Sequence, residues 1–335
     1  MSGNRKFVER DQLTTLVRAT FGTARTLVTV TRLRGGSKKG VYRLSFDDKS
    51  TVILYVWDAE ENYWPAAQKS ADAEQADLFS DASGSDLFAA SYNCLKEIGV
   101  RTPQVYLLDR KQSFYPADIA VVEDVHGGTL EAMLEHNPQN AEPTLSRLKA
   151  TLQIMRQHRN KQPGKVARAA LGNLQENQTC KQIVLARALQ HLTEAASRVE
   201  RIAQVHEQLE EKLYRLADRI FPRDDFSLIH GELGPDHVLV DQQGDPVLID
   251  IEGLMFFDVE WEHVFLHLRF NEYYSRLQTH DLDEQRLRFY ALAMYLSLVA
   301  GPLRLLDGDF PDRALMMDIV ESNLQRTLAT LHWTT

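Results

Sequence analysis

Cysteine is scarce in this chain: Cys94 and Cys180 are the only two among 335 residues, and they form no CxxC pair. That excludes a disulfide scaffold, suits a reducing compartment and leaves both thiols as small buried hydrophobes. Long apolar runs are missing as well, since nothing approaches the roughly 18 consecutive apolar residues of a membrane helix. No apolar segment follows residues 1–6, so no secretory leader is expected and a cytoplasmic location is the default expectation. Basic excess is absent too. Lys plus Arg number 38 against 47 Asp plus Glu, a formal charge of −9 that argues against a nucleic-acid partner. Such a balance is compatible with a cationic small molecule drawn into an acidic cleft. No internal repeat is evident.

What is present is an ordinary globular composition, 44% apolar and 25% charged, on a chain long enough for two lobes around a cleft. The first hundred residues are strand-rich. Leu27-Val28-Thr29-Val30 is β-branched, Val41 to Phe46 alternates like a half-buried strand, and Thr51 to Trp57 reads as a more fully buried one. The turns between them are Gly35 to Gly40 and Asp47 to Ser50. Residues 66–86, rich in Ala, Ser, Asp and Gln, read as a flexible insertion. A helix follows with Leu87, Cys94, Leu95 and Ile98 on its apolar face, ended by Gly99. Asp118 to Asp124 is a further strand leading into Gly127-Gly128, a crossover between lobes. Beyond it the pattern turns helical. Leu209, Leu213, Leu216 and Ile220 form one stripe of a packed helix pair, and residues 259–333 carry a densely apolar segment around Tyr290 to Leu298.

One stretch carries chemistry. Phe226-Ser227-Leu228-Ile229 delivers the loop His230-Gly231-Glu232-Leu233-Gly234-Pro235-Asp236-His237, and Val238-Leu239-Val240 leaves it. A hairpin at Gly244 then returns through Pro246 to Ile249 and ends in Asp250-Ile251-Glu252. Two apolar strands thus hold a loop and a strand end side by side. Phosphoryl transfer needs an acid near the attacking hydroxyl and hard or borderline ligands for a metal bridging the phosphates. Glu232 suits the first task, with Asp250 and His237 for the second. His263 and His267 stand at i, i+4 without an HExxH-like acid, which favours a packed helix over a metal site.

These residues resemble the catalytic segment of the aminoglycoside phosphotransferase and choline kinase-like family, H-G-D-L-H-x-x-N followed by I-D-x-E. The likeness spans about residues 25 to 270. It takes in the glycine-rich phosphate loop (Gly35, Gly36, Ser37, Lys38, Lys39, Gly40) and the adenine-binding hinge (Val122-Glu123-Asp124, with Glu123 and Val125 as the cofactor-binding residues). The segment from Phe257 to Glu262 resembles the family's later acidic stretch, which anchors the catalytic loop. The resemblance implies an α+β, two-lobed protein-kinase-like fold, with an N-lobe over 1–124 and a mainly helical C-lobe over 125–335. It implies an ATP- or GTP-dependent kinase using Mg, or Mn, to phosphorylate a hydroxyl of a small molecule such as an antibiotic, amino sugar or related metabolite. The implied catalytic residue is Glu232, with His230 in a supporting role. Metal ligands would be His237, Asp250 and Glu252. Glu272, Asp281, Asp283 and Glu284 would draw a cationic acceptor.

Three departures stand out. Glu232 replaces the family's Asp, and its extra methylene displaces the carboxylate by about 1 Å, enough to change a rate by ~10²-fold. His237 replaces Asn, as in macrolide phosphotransferases, and a nitrogen ligand suits Mn or Zn better than Mg. Tyr55 stands where the phosphate-pairing Lys is expected, and the following helix has no Glu to partner it. Lys38 or Lys39 is then either a substitute cation or a solvated turn residue. Together the departures admit a second reading, a catalytically impaired pseudokinase serving as a nucleotide-binding or regulatory module.

Overall fold

The computed structural model describes residues 5–34, 36–64, 78–79, 83–170 and 179–333. Gly35 and most of the 66–86 stretch lie outside these residues. Five strands form the first sheet: β1 (Leu27–Arg32), β2 (Gly40–Phe46), β3 (Thr51–Trp57), β4 (Val105–Asp109) and β5 (Asp118–Glu123). Their order is β1-β2-β3-β5-β4 and every pairing is antiparallel. The alternation in β2 buries Tyr42, Leu44 and Phe46 on one face, where Leu13, Leu16 and Val17 of the N-terminal helical segment cover them. β3 is buried along both faces because it is the central strand. Val52, Leu54 and Val56 join that outer core, whereas Ile53 and Tyr55 point into the main core beneath helix Ser85–Glu97.

That helix buries Phe88, Ser91 and Leu95, so its packed face is centred one residue beyond the expected Leu87, which is half-buried. Cys94 is likewise only half-buried, whereas Cys180 is fully enclosed. Gly99 ends the helix with φ 76°, a conformation glycine adopts without a Cβ penalty.

After β5 the chain is mainly helical: Leu130–His136, Glu142–Gln157, Cys180–Arg198, His206–Asp218, Val259–Phe270, Glu284–Leu306 and Arg313–Ala329 are the principal helices. The stripe Leu209, Leu213, Leu216 and Ile220 is buried, as its spacing predicts. Helix Glu284–Leu306 is long and apolar enough to cross a membrane by length and composition, but 61% of its apolar window is buried inside the protein. It is the central helix of the larger lobe. Two small sheets support the cleft. β6 (Arg159–Asn160), β8 (Phe226–Ile229), β11 (Met255–Phe257) and β7 (Gly164–Lys165) form one, in that order. β9 (Val238–Val240) and β10 (Pro246–Leu248) form a hairpin.

The chain passes between the lobes close against that hairpin. Val240 N–H donates to the Gly128 carbonyl at 2.9 Å, and a Cβ on Gly127 would fall 1.7 Å from the Val240 carbonyl oxygen. Only glycine permits this approach. A second link joins the lobes through Trp64, after β3. Its indole Nε1 donates to Ser37 Oγ at 3.0 Å, and its ring lies between Lys38 and Arg304. Arg5 completes the link with a paired contact to Asp309.

Candidate active site

β8 and β11 run antiparallel, with Ile229 opposite Met255, and so fix both ends of the segment from His230 to Leu254. The loop itself is held from below by the start of helix Val259–Phe270. Glu262 Oε2 accepts from the amides of His230 at 2.6 Å and Gly231 at 3.0 Å, and Trp261 Nε1 donates to the Gly231 carbonyl at 3.2 Å. Burial pushes the Glu262 carboxyl up to about 7 despite those amides. Asp258 and Glu260 anchor the helix in turn. Arg223 reaches both, and Asp258 also accepts from Arg286 Nε at 3.1 Å and the Tyr290 hydroxyl.

His230 is 1% exposed, and its Nε2 donates to the Ile249 carbonyl at 2.9 Å. Burial holds its imidazole down at about 4, so the ring is neutral and ties the loop to the strand end without facing the cleft. Glu232, one residue past Gly231, is exposed. The Glu232 backbone carbonyl accepts from His237 Nδ1 at 2.8 Å. On the other side of the ring, His237 Nε2 lies 3.6 Å from Asp236 Oδ2 and 3.8 Å from Asp250 Oδ2. Asp250 adopts φ 58°, ψ 44°, a left-handed conformation uncommon for a residue with a Cβ and a frequent mark of functional sites.

Lys39 is the unexpected member of the group. It is 8% exposed, and its Nζ lies 2.8 Å from Asp250 Oδ1, in contact with Glu252 Oε1 and 5.1 Å from the centre of the Tyr55 ring. The solvated-turn reading therefore fails for Lys39. Burial alone would lower its ammonium, but the Asp250 and Glu252 carboxylates outweigh it and hold it well above the usual lysine range. Lys39 in turn pulls the Asp250 carboxyl down, whereas burial leaves that of Glu252 raised. Lys38 turns the other way, 5.5 Å from the Trp64 ring.

Other expected residues are placed differently. Glu123 directs its carboxylate to Arg101 and its amide to the Gln104 carbonyl, so neither is free at the hinge. Asp124 is held by Arg43 and Thr51, and Val125 is buried. The acidic set expected to draw the acceptor is largely engaged. Asp281 pairs with Arg156, Asp283 caps helix Glu284–Leu306 and pairs with Arg286, and Glu284 bonds Arg288, while Glu272 is exposed. His263 donates to or accepts from the Tyr274 hydroxyl at 3.2 Å, and the His267 ring packs edge-on against the same tyrosine. Those two histidines are packing residues. Arg269, from the same helix, bonds Asp236 on the catalytic loop at 2.8 Å, a link that sequence spacing does not reveal.

Among the described residues, no three His, Cys, Asp or Glu side chains stand gathered as a metal cluster. Asp250 has His237 on one side and shares Lys39 with Glu252 on the other, and the Lys39 ammonium occupies the space between the two carboxylates. That arrangement still fits a cation: the carboxylates already close around one, and Glu252 Oε2 is buried without a hydrogen-bond partner.

The sequence profile of the Phosphotransferase enzyme family matches residues 29–300. The chain belongs to that family. Solved structures of the phosphotransferase fold superpose over almost the whole chain. A thermostable mutant of aminoglycoside phosphotransferase APH(4)-Ia in its apo form has a TM-score of 0.62 at 16% identity, covering 93% of this chain and 98% of its own. Wild-type aminoglycoside 2'-phosphotransferase-IIIa in its GDP complex has a TM-score of 0.60 at 18% identity, covering 95% and 99%. LicA in complex with AMP has a TM-score of 0.57 at 14% identity, covering 96% and 97%. No curated protein matches the sequence. The two-lobed α+β kinase-like fold of this phosphotransferase is therefore as the loop motif implied.

Proposed function

We propose that this phosphotransferase moves the terminal phosphoryl group of ATP or GTP to a hydroxyl of a small molecule. The observation that carries the reading is a chain of neighbours on the loop and strand end: the Glu232 backbone carbonyl accepts from His237, whose Nε2 lies 3.8 Å from Asp250, itself in the left-handed conformation and bonded to Lys39. Complexes of fold neighbours support the choice of substrates. One structure of APH(4)-Ia holds ADP with hygromycin B, and one of APH(2")-IIIa holds GDP with kanamycin.

Glu232 would accept the proton of the acceptor hydroxyl as its oxygen bonds to phosphorus, while the bond to the nucleotide's bridging oxygen breaks and the diphosphate leaves. Asp250, Glu252 and His237 would hold a divalent cation, which when bound supplies neutralisation of phosphate charge. Residues 36–40 would lie over the phosphates, with the hinge after Glu123 at the adenine. The His230–Ile249 bond and the Glu262–loop amides keep Glu232 and Asp250 in register. Retained acids at 232, 250 and 252, with the Lys39 ammonium between the last two, weigh against the pseudokinase reading.

The test is nucleotide turnover with Mg or Mn across a panel of hydroxylated amines, amino sugars and nucleosides, for wild type and Glu232→Gln. Acceptor-dependent diphosphate release that the variant loses establishes the activity. Nucleotide binding without turnover for any acceptor would favour the pseudokinase.

A further inference from the structure

We infer that Lys39 is the phosphate-pairing cation of this protein, relocated from the third strand to the loop entering β2; the inference rests on the nucleotide-binding reading above. A lysine at position 55 would rise from β3 into the space between the sheet and Asp250. That space is filled here from the neighbouring strand. Val41 pairs with Tyr55 and Gly40 with Val56 across β2 and β3, so Lys39 approaches from directly alongside. Its Nζ passes 5.1 Å from the Tyr55 ring centre and ends between Asp250 and Glu252.

The surroundings have changed in step. Tyr55 packs edge-on against Phe88 at 5.7 Å, an apolar contact where a lysine on β3 would need an acid from that helix. The partner charges for Lys39 come instead from the 250–252 segment. Two close approaches hold the residue in place. A Cβ on Gly36 would lie 2.5 Å from the Lys39 carbonyl oxygen, and one on Gly40 would lie 2.5 Å from the buried Glu61 carboxyl carbon. Ser37 is fixed on the other side by Trp64 and by the Tyr63 amide, 2.8 Å from its carbonyl. Lys38 is committed to Trp64, so Lys39 is the residue of this pair that faces the acids.

One ammonium set against two carboxylates leaves the group with an excess negative charge. A nucleotide entering with its cation lets the ammonium turn to phosphate oxygens while the carboxylates take the cation. Lys39 would thus contribute affinity through the nucleotide's phosphates and none to the bare nucleoside.

The experiment is calorimetric titration of Mg-ATP, Mg-GTP and adenosine into wild type, Lys39→Met, Lys39→Arg and the exchange variant Lys39→Met with Tyr55→Lys, with thermal unfolding of each as a folding check. Loss of a charge-assisted contact should weaken Mg-ATP by roughly 10- to 100-fold in Lys39→Met and leave adenosine within about twofold. Lys39→Arg should keep part of the preference, and the exchange variant should regain most of it. Should Lys39→Met fail to fold, the Lys39→Arg and exchange variants decide. A folded Lys39→Met that binds Mg-ATP like wild type overturns this inference and leaves the functional proposal standing, as does a folded exchange variant with no recovery. Wild type that binds neither ATP nor GTP overturns both.

Discussion

Glu262 is 3% exposed and accepts two amides of the catalytic loop through one carboxylate oxygen. Two replacements separate its roles. Both Glu262→Gln and Glu262→Ala remove the charge, but only glutamine keeps an oxygen for the amides of His230 and Gly231. Orphaning a buried amide costs about 1–3 kcal/mol, so the alanine variant should be less stable than the glutamine variant by about 2–6 kcal/mol. The charge itself acts in the opposite direction. Its carboxyl is raised from 4.5 to about 7, a shift equivalent to about 3 kcal/mol. A raised acid contributes stability that is complete below pH 4.5 and is lost as pH rises through 7. Wild type should therefore lose about 3 kcal/mol relative to Glu262→Gln between pH 4.5 and pH 8. Urea unfolding of the three proteins across that range measures both quantities. In turnover, a loop shifted by about 1 Å in Glu262→Ala should lower the rate by ~10²-fold while Glu262→Gln stays within about tenfold. Equal stability of the two variants at pH 8, within about 1 kcal/mol, would refute the view that the carboxylate is there to hold the loop.

His230 should show the reverse dependence: its imidazole is depressed to about 4, so its contribution is complete above pH 6.5 and is lost as pH falls through 4, by about 3 kcal/mol. His230→Asn should flatten that acid limb in urea unfolding, and an unchanged slope would count against the assignment. Gly127→Ala forces a Cβ against the Val240 carbonyl and should destabilise the protein by several kcal/mol or shift the crossover, read as a fall in Tm. Arg223→Met removes a partner of Asp258 and Glu260, which are 3% and 0% exposed as side chains, and should cost about 3 kcal/mol in denaturant unfolding. A loss under about 0.5 kcal/mol there would mean that Arg286 suffices for Asp258 and the Asp283 amide for Glu260.

The sequence made the fold legible wherever the pattern was local. The alternation of β2, the buried run of β3 and the stripe from Leu209 to Ile220 each depend on residues a few positions apart, and each appears in the structure as spaced. The loop from His230 to Glu252 was legible for the same reason, since its chemistry is contiguous. Lys39 was not, because its partners lie 211 and 213 residues away and no local pattern distinguishes a lysine that enters a core from one that leaves it. The acids at 281, 283 and 284 were misjudged on the same ground: composition shows charge, and only the fold shows that arginines already face it. The helix register slipped by one residue at Leu87 because the apolar set there is sparse and Ser91 occupies its centre.

Trp64 gives the link between the glycine-rich loop and the C-terminal helices an optical use. Indole emission responds to nearby charge and to hydrogen bonding at Nε1, and this ring has Ser37 at its nitrogen with Lys38 and Arg304 close to its face. Of the chain's four tryptophans, Trp57 and Trp261 lie in the cores and Trp333 lies at the C-terminal end, away from the glycine-rich loop. The protein thus carries a native fluorophore attached to the loop that would cover the phosphates, and displacement of that loop can be followed in solution without adding a label.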